Sequence, residues 1–329
     1  MLRTMAIALA ALAVVSGTIL AILLIWPVPD PDPEQTFDFT RVEAPPEARP
    51  HTDYPARDGQ RLPLRVYPAA TTDVVLVLIH GSAGHGDYLH GMAAELAERD
   101  VATVVVPDLR GHGEAPLRRG DIDYVAQLEH DLADLVTWVR ERHAGTRVVV
   151  GGHSAGGGLA LRLAGGEYAE QVDAWLLIAP MLGPDAPTNR DNAGGWVQLR
   201  LPRIVALTVL NNFGITALDN LQVVHFNLPE RYRSGRETLA YSWRMIQGFG
   251  PRDYRDDLTA IDVPLLVVVG EHDEAFVAER YAPVIADYAA HGRVVVMPAL
   301  QHTDIVSDSL TLELYANWIE SLGPVDAAR

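Results

Sequence analysis

Beyond residue 55 the chain alternates between short runs of Val, Ile and Leu and longer stretches in which apolar residues recur three and four apart. The runs at 74–79, 101–106, 147–150, 174–178, 265–269 and 294–297 have strand length and are apolar at successive positions. That pattern predicts strands buried on both faces rather than on one. Residues 89–99, 122–142 and 276–290 carry the helical spacing. Strands and helices in alternation predict crossover units, and so a mostly parallel central sheet with helices on both faces. Residues 181–257 break the rhythm, separating two strands by far more than one crossover helix requires. An insertion of that length in a compact domain is usually functional, and a cap or lid over a site is expected; an extra helical layer is the plainer alternative.

The N-terminus has a different pattern. From Met5 to Trp26 the chain runs 22 residues without a charge, about 33 Å as a helix, enough to cross a hydrocarbon core of about 30 Å. Arg3 precedes this run, and Asp30, Asp32 and Glu34 follow it. The charge order predicts a transmembrane signal anchor at 1–26 with the bulk of the chain extracytoplasmic. Secretion after signal cleavage is the competing reading, although "WPVPDPDPE" offers no good cleavage site. Prolines among acidic residues make 27–55 an extended, semi-rigid linker that holds the domain off the bilayer. The core is then expected over 56–180 and 258–329, with the cap at 181–257.

Composition narrows the chemistry. With 26 basic and 43 acidic residues the net charge is −17, which repels phosphate backbones, so no nucleic-acid partner is expected. The chain has no cysteine and no lysine. Thiolate nucleophiles, thiolate metal sites, Schiff bases and Walker-type phosphate loops are therefore excluded. His80, His85 and His90 are five apart and share no helical face. No metal and no cofactor is expected.

Residues 148–164 read VVVGGHSAGGGLALRLA, a strand stopping among glycines and a helix beginning just after them. Ser154 falls on the turn, inside the G-x-S-x-G pattern Gly152-His153-Ser154-Ala155-Gly156. On such a turn the positions two before and two after the serine come close together, so only small residues fit. The turn lifts the hydroxyl above the sheet and aims the first helical N–H groups at the same point. A serine N-cap is the plainer reading of the residue. As a nucleophile it needs a base and a group that orients the base.

With "VLIHGSAGHGDYLHGMAAELAERDVATVVVPDLRGHGEA" (77–115), "GGHSAGG", "LLVVVGEHDEAF" and "ALQHTDIV" in this order, the chain resembles the α/β-hydrolase superfamily, in particular its monoacylglycerol lipase-like and serine aminopeptidase-like branch. The resemblance spans roughly residues 57–322 and is weakest in the cap. It implies the α/β-hydrolase fold and a catalytic triad of Ser154, Asp273 and His302 in the order serine, acid, histidine. The last two also follow the strands at 265–269 and 294–297, at the sheet edge where open α/β folds place ligands. Glu271 and Glu274 remain neighbouring alternatives for the acid. The resemblance further implies an oxyanion hole from the backbone N–H groups of Ser82 and Ala155, a structural role for His80, and a scaffold turn at 108–113.

These features predict a serine hydrolase that cleaves carboxylic esters through an acyl-enzyme. Apolar cap residues Trp196, Leu199, Leu201, Ile204, Leu207, Leu210 and Phe213 point to a hydrophobic or lipid-like small-molecule substrate, unless they only pack the cap on the core. Peptide or amide hydrolysis on the same fold, and a non-catalytic exported binding protein, are the alternatives.

Overall fold

The structure, a computed structural model, describes residues 2–27, 36–39 and 51–323. Its main sheet has eight strands in the order β1-β2-β4-β3-β5-β6-β10-β11. These are β1 (Thr52–Pro55), β2 (Arg61–Tyr67), β3 (Val74–Ile79), β4 (Thr103–Pro107), β5 (Arg147–His153), β6 (Ala174–Ile178), β10 (Leu265–Gly270) and β11 (Gly292–Met297). β2 pairs antiparallel with both β1 and β4. Every other neighbouring pair is parallel. From β3 the chain winds first to β4 on one side and then to β5 on the other. The carboxyl ends of β3 and β5 therefore flank a topological switch point, where the divergent loops leave a crevice.

Alternating strand residues explain why the apolar runs are continuous. On one face Leu76, Leu78, Val104, Val106, Val149 and Val268 pack under α2 (His90–Glu98) and α9 (Ser309–Ser321). On the other, Val75, Val77, Val105, Val150 and Val267 pack under α3 (Gln127–Arg142), α4 (Ala155–Ala164) and α8 (Tyr281–Tyr288). A strand covered on both sides needs apolar residues at odd and even positions alike.

Several boundaries move from their expected places. β4 starts at Thr103 because the amides of Val101 and Ala102 still donate to the Leu96 carbonyl, closing the turn after α2. β5 continues through both glycines to His153, pairing Gly151, Gly152 and His153 with β6. Residues 123–126 form bends and a turn, so α3 begins at Gln127. A 3₁₀ turn at Ala278–Arg280 precedes α8. Neither β1 nor β2 is apparent in the pattern of apolar runs, and β1 lies inside the stretch expected to be linker.

The insertion between β6 and β10 is a mixed cap. It holds a three-stranded antiparallel sheet of β7 (Val197–Leu199), β8 (Gln222–Phe226) and β9 (Ala240–Ser242), with α5 (Leu201–Asn212) beside it. Two short helices, α6 (Trp243–Phe249) and α7 (Tyr254–Thr259), lead back to the core. The apolar N-terminal run forms α1 (Leu2–Ile25), 24 residues with a mean hydropathy of 2.7 over its most apolar window. It is long and apolar enough to cross a membrane. α1 lies beside α5, where the Arg203 Nε donates to the Leu24 carbonyl at 2.8 Å. Residues 36–39 of the expected linker lie against the core and cap, as described below; 28–35 and 40–50 fall outside the described residues.

Candidate active site

β5 ends at His153 and α4 begins at Ala155, leaving Ser154 alone between them at φ 57°, ψ −120°. A non-glycine residue persists there only if its surroundings hold it. They do: the Ser154 N–H donates to the Ile178 carbonyl at 2.8 Å, and its own carbonyl accepts from Gly158 at 3.2 Å and Met181 at 3.0 Å. The flanking glycines are required by contact. A Cβ on Gly152 would lie 2.3 Å from the Gly156 carbonyl oxygen, and one on Gly156 would lie 2.4 Å from that of His80. These neighbours are backbone and cannot step aside.

Asp273 follows β10 and His302 follows β11, and the two meet with His302 Nδ1 2.8 Å from Asp273 Oδ2. Both are buried. The other Asp273 oxygen accepts the N–H groups of Ala275 and Phe276, each at 2.8 Å, which fixes the carboxylate plane. The alternative acids are engaged elsewhere. Glu271 accepts from the Ala299 amide at 2.9 Å, and Glu274 accepts from the His302 amide at 2.8 Å. Of the three carboxylates, Asp273 is the one that meets the imidazole. His302 packs against His153, the residue preceding Ser154, with ring centroids 4.7 Å apart and planes tilted by 37°. Ser154 and His302 line one cavity.

The loop after β3 completes this wall. A Cβ on Gly81 would lie 3.1 Å from the Cβ of Ser154, so the Gly81-Ser82 backbone passes directly beside the serine. The Gly81 amide donates to the Tyr88 hydroxyl at 2.5 Å and the Ala83 amide to that of Tyr241 at 2.9 Å. Among the described residues the Ser82 N–H between them donates to no protein acceptor. Ala155 opens α4, where first-turn N–H groups lack helical acceptors. The Ser82 hydroxyl accepts from the Trp196 indole at 3.0 Å, tying this loop to the cap.

The sequence profile of the serine aminopeptidase S33 family matches residues 70–307, which takes in every one of these site residues. The chain belongs to this family of α/β-hydrolases. The hydrolase is 29% identical to the monoacylglycerol lipase of Mycolicibacterium smegmatis, over 78% of this chain and 92% of that protein. It is 27% identical to a non-heme haloperoxidase of Rhodococcus erythropolis over 66% of this chain and 82% of that one. An uncharacterised protein of Mycobacterium tuberculosis is 33% identical over 115 residues, where the match takes in 35% of this chain and only 31% of the relative. The fold is shared with a soluble variant of the monoglyceride lipase of Saccharomyces cerevisiae, at a TM-score of 0.64 and 14% identity, over 88% of this chain and 99% of that one.

The cavity of this hydrolase has a volume of about 440 Å³. Of the apolar cap residues expected to line it, Trp196 does. Leu207 is instead buried in the core, and Leu199, Leu201 and Phe213 are exposed. Ile204 and Leu210 pack against the buried core. Within α5 the helical periodicity turns Leu207 into the core and leaves Leu201 exposed.

Three histidines of the hydrolase are kept neutral by burial. His80 is pushed down to about 4; its Nε2 accepts from the Leu109 amide at 3.1 Å, so Nδ1 carries the proton toward the Gly81 carbonyl. This is the structural role expected for it. Burial likewise holds His112 and His153 well below the usual histidine range. Beneath the loop, buried Arg65 pairs with Asp108 at 3.0 Å and also contacts Asp87, the latter as an ion pair without hydrogen-bond alignment. Asp108 in turn accepts from the Gly86 amide at 2.7 Å.

Sequence reasoning missed Tyr88, Arg190, Phe37 and Phe39. Arg190 donates through Nε to the carbonyls of Asp273 and Phe276, at 3.1 and 3.0 Å, pinning the acid's loop from the cap. Nothing in a linear pattern marks an arginine 83 residues away as its partner.

Proposed function

We propose that this hydrolase is a membrane-anchored serine esterase acting on a hydrophobic or lipid-like carboxylic ester. His302 takes the proton of Ser154, the serine oxygen attacks the ester carbonyl, and the alcohol leaves with a proton from His302. Water then cleaves the acyl-enzyme by the same route. Asp273 holds the Nδ1–H tautomer and stabilises the imidazolium. The Ser82 and Ala155 amides receive the charge on the tetrahedral oxygen, each contributing about 3 kcal/mol. The observation that carries this reading is the 2.8 Å contact of His302 with Asp273 on the wall that also bears Ser154. α1 supports anchoring, and the charge order around it favours a catalytic domain outside the cytoplasm; a secreted form after cleavage is the alternative topology.

Aminoacyl-amide hydrolysis is the second reading, favoured by the family description and by two carboxylates, Asp87 and Glu237, on the cavity wall. Such groups suit a substrate ammonium. Asp87, however, is already paired with Arg65 and Arg236, which favours the ester.

The test is labelling of the full chain by a fluorophosphonate, together with hydrolysis of an ester series and of aminoacyl amides. Labelling absent in Ser154→Ala, with ester turnover reduced by about 10⁶-fold, is the expected outcome. Equal turnover by both proteins would remove Ser154 from the chemistry, and neither labelling nor turnover in the unaltered protein would favour the binding-protein alternative. Faster amide than ester turnover would select the second reading.

A further inference from the structure

The stretch that composition marks as a spacer returns to the site at residues 36–39. Phe37 is only 6% exposed. Its ring stacks on Trp196, with centroids 5.0 Å apart and planes at 18°, and stands 4.9 Å from the His302 imidazole. Phe39 packs against Trp196 at 5.8 Å and Tyr232 at 5.3 Å. Both rings line the cavity that contains Ser154. Between them the Asp38 amide donates to Glu274 Oε1 at 3.2 Å, while Oε2 of the same carboxylate accepts from the His302 amide at 2.8 Å. One carboxylate thus holds both the strap and the loop that carries the histidine.

With both rings in place the cavity keeps its volume of about 440 Å³, within the range of small-molecule sites of about 300–1,000 Å³. The rings line the site rather than plug it. Neither can exchange a proton or accept a hydrogen bond through a polar atom, so what they offer is apolar area and exclusion of water beside the imidazole. They also extend the aromatic wall that the cap begins with Trp196.

We propose that Phe37 and Phe39 are specificity-determining residues, a wall of the substrate site contributed by the N-terminal linker that contacts the apolar chain of the substrate. This rests on the reading of Ser154 as the nucleophile. A two-carbon acyl group has little surface to lay against the rings, whereas a long chain has much. The strap should therefore act on chain-length preference more than on bond cleavage.

The experiment uses the full-length protein in detergent with p-nitrophenyl acetate, butyrate and octanoate. For Phe37→Ala/Phe39→Ala, the ratio of kcat/KM on octanoate to that on acetate is expected to fall at least about tenfold, mainly through KM. Phe37→Leu, which keeps apolar volume, is expected to recover most of the ratio and guards against a folding defect in the double variant. Fluorophosphonate labelling of the variants reports on the catalytic centre separately. Labelling retained with an unchanged ratio, or with both esters slowed in parallel, overturns the proposal and leaves the nucleophile reading standing. Absence of labelling in the unaltered protein overturns that reading and this one together.

Discussion

The Tyr88 hydroxyl lies 3.0 Å from Nδ1 of His153. The same oxygen accepts the Gly81 amide at 2.5 Å, and His153 Nε2 lies 3.0 Å from the carbonyl of His302. A carbonyl only accepts, so Nε2 carries the imidazole proton, Nδ1 accepts, and Tyr88 donates to it. One arrangement of protons satisfies all three contacts. The chain of hydrogen bonds joins the loop bearing Ser82 to the loop bearing His302.

Replacing Tyr88 by Phe removes the middle of that chain while keeping the ring. Two buried partners lose a hydrogen bond, at a cost of about 1–3 kcal/mol in stability. The two loops lose their mutual reference, and small displacements of catalytic groups are costly. We expect kcat on short-chain esters to fall about tenfold with KM changed less than about threefold. Steady-state kinetics decide it: a change confined to KM contradicts the role.

Asp273 and Glu274 are adjacent carboxylates that touch different parts of His302, the ring and the amide. Asp273→Asn puts an amide where the imidazole N–H needs an acceptor of full charge, and a loss of about 10⁴ in kcat is expected by analogy with the serine protease triad. Glu274→Gln keeps an acceptor oxygen and is expected to cost less than about tenfold. Turnover of the two variants on one ester measures the contrast. Comparable losses would mean that the acid has been misassigned.

Stability should fall as the solution is acidified from pH 7 to 5. His80, at about 4, and His112 and His153, well below their ordinary range, are neutral when folded. Unfolded histidine titrates near 6.5, so below that pH the unfolded chain binds up to three more protons, and folding becomes less favourable. Asp257, raised to about 6 by burial, works in the opposite direction, keeping a proton that the unfolded chain has released above about pH 4. Asp131, also raised by burial, adds to that opposition. The balance is one to two protons, or about 1–3 kcal/mol per pH unit. Thermal midpoints measured at pH 7, 6 and 5 should decrease in that order; a midpoint flat or rising toward pH 5 refutes the assignment of buried neutral histidines.

Much of the parallel sheet is legible in the chain because a strand buried on both faces leaves an uninterrupted apolar run, as Val74–Ile79 does. β1 and β2 leave no such run: β1 is four residues ending in proline, and β2 carries Arg65, whose charge is neutralised only by Asp87 and Asp108 from later in the chain. The cap strands of three to five residues are too short to show a period. Ser154 was legible because its glycines are a local steric requirement.

The strand-turn-helix at Ser154, the two-faced strands and the apolar N-terminal helix can all be read along the chain, because each depends on the spacing and size of residues that are neighbours in it. That Asp273 rather than Glu274 meets the imidazole of His302, that Tyr88 and His153 connect two loops, and that Phe37 returns to the cavity emerge only in the folded molecule. Those meetings depend on where crossovers and a packed cap bring remote segments, and a contact between distant residues leaves no periodic trace in either one.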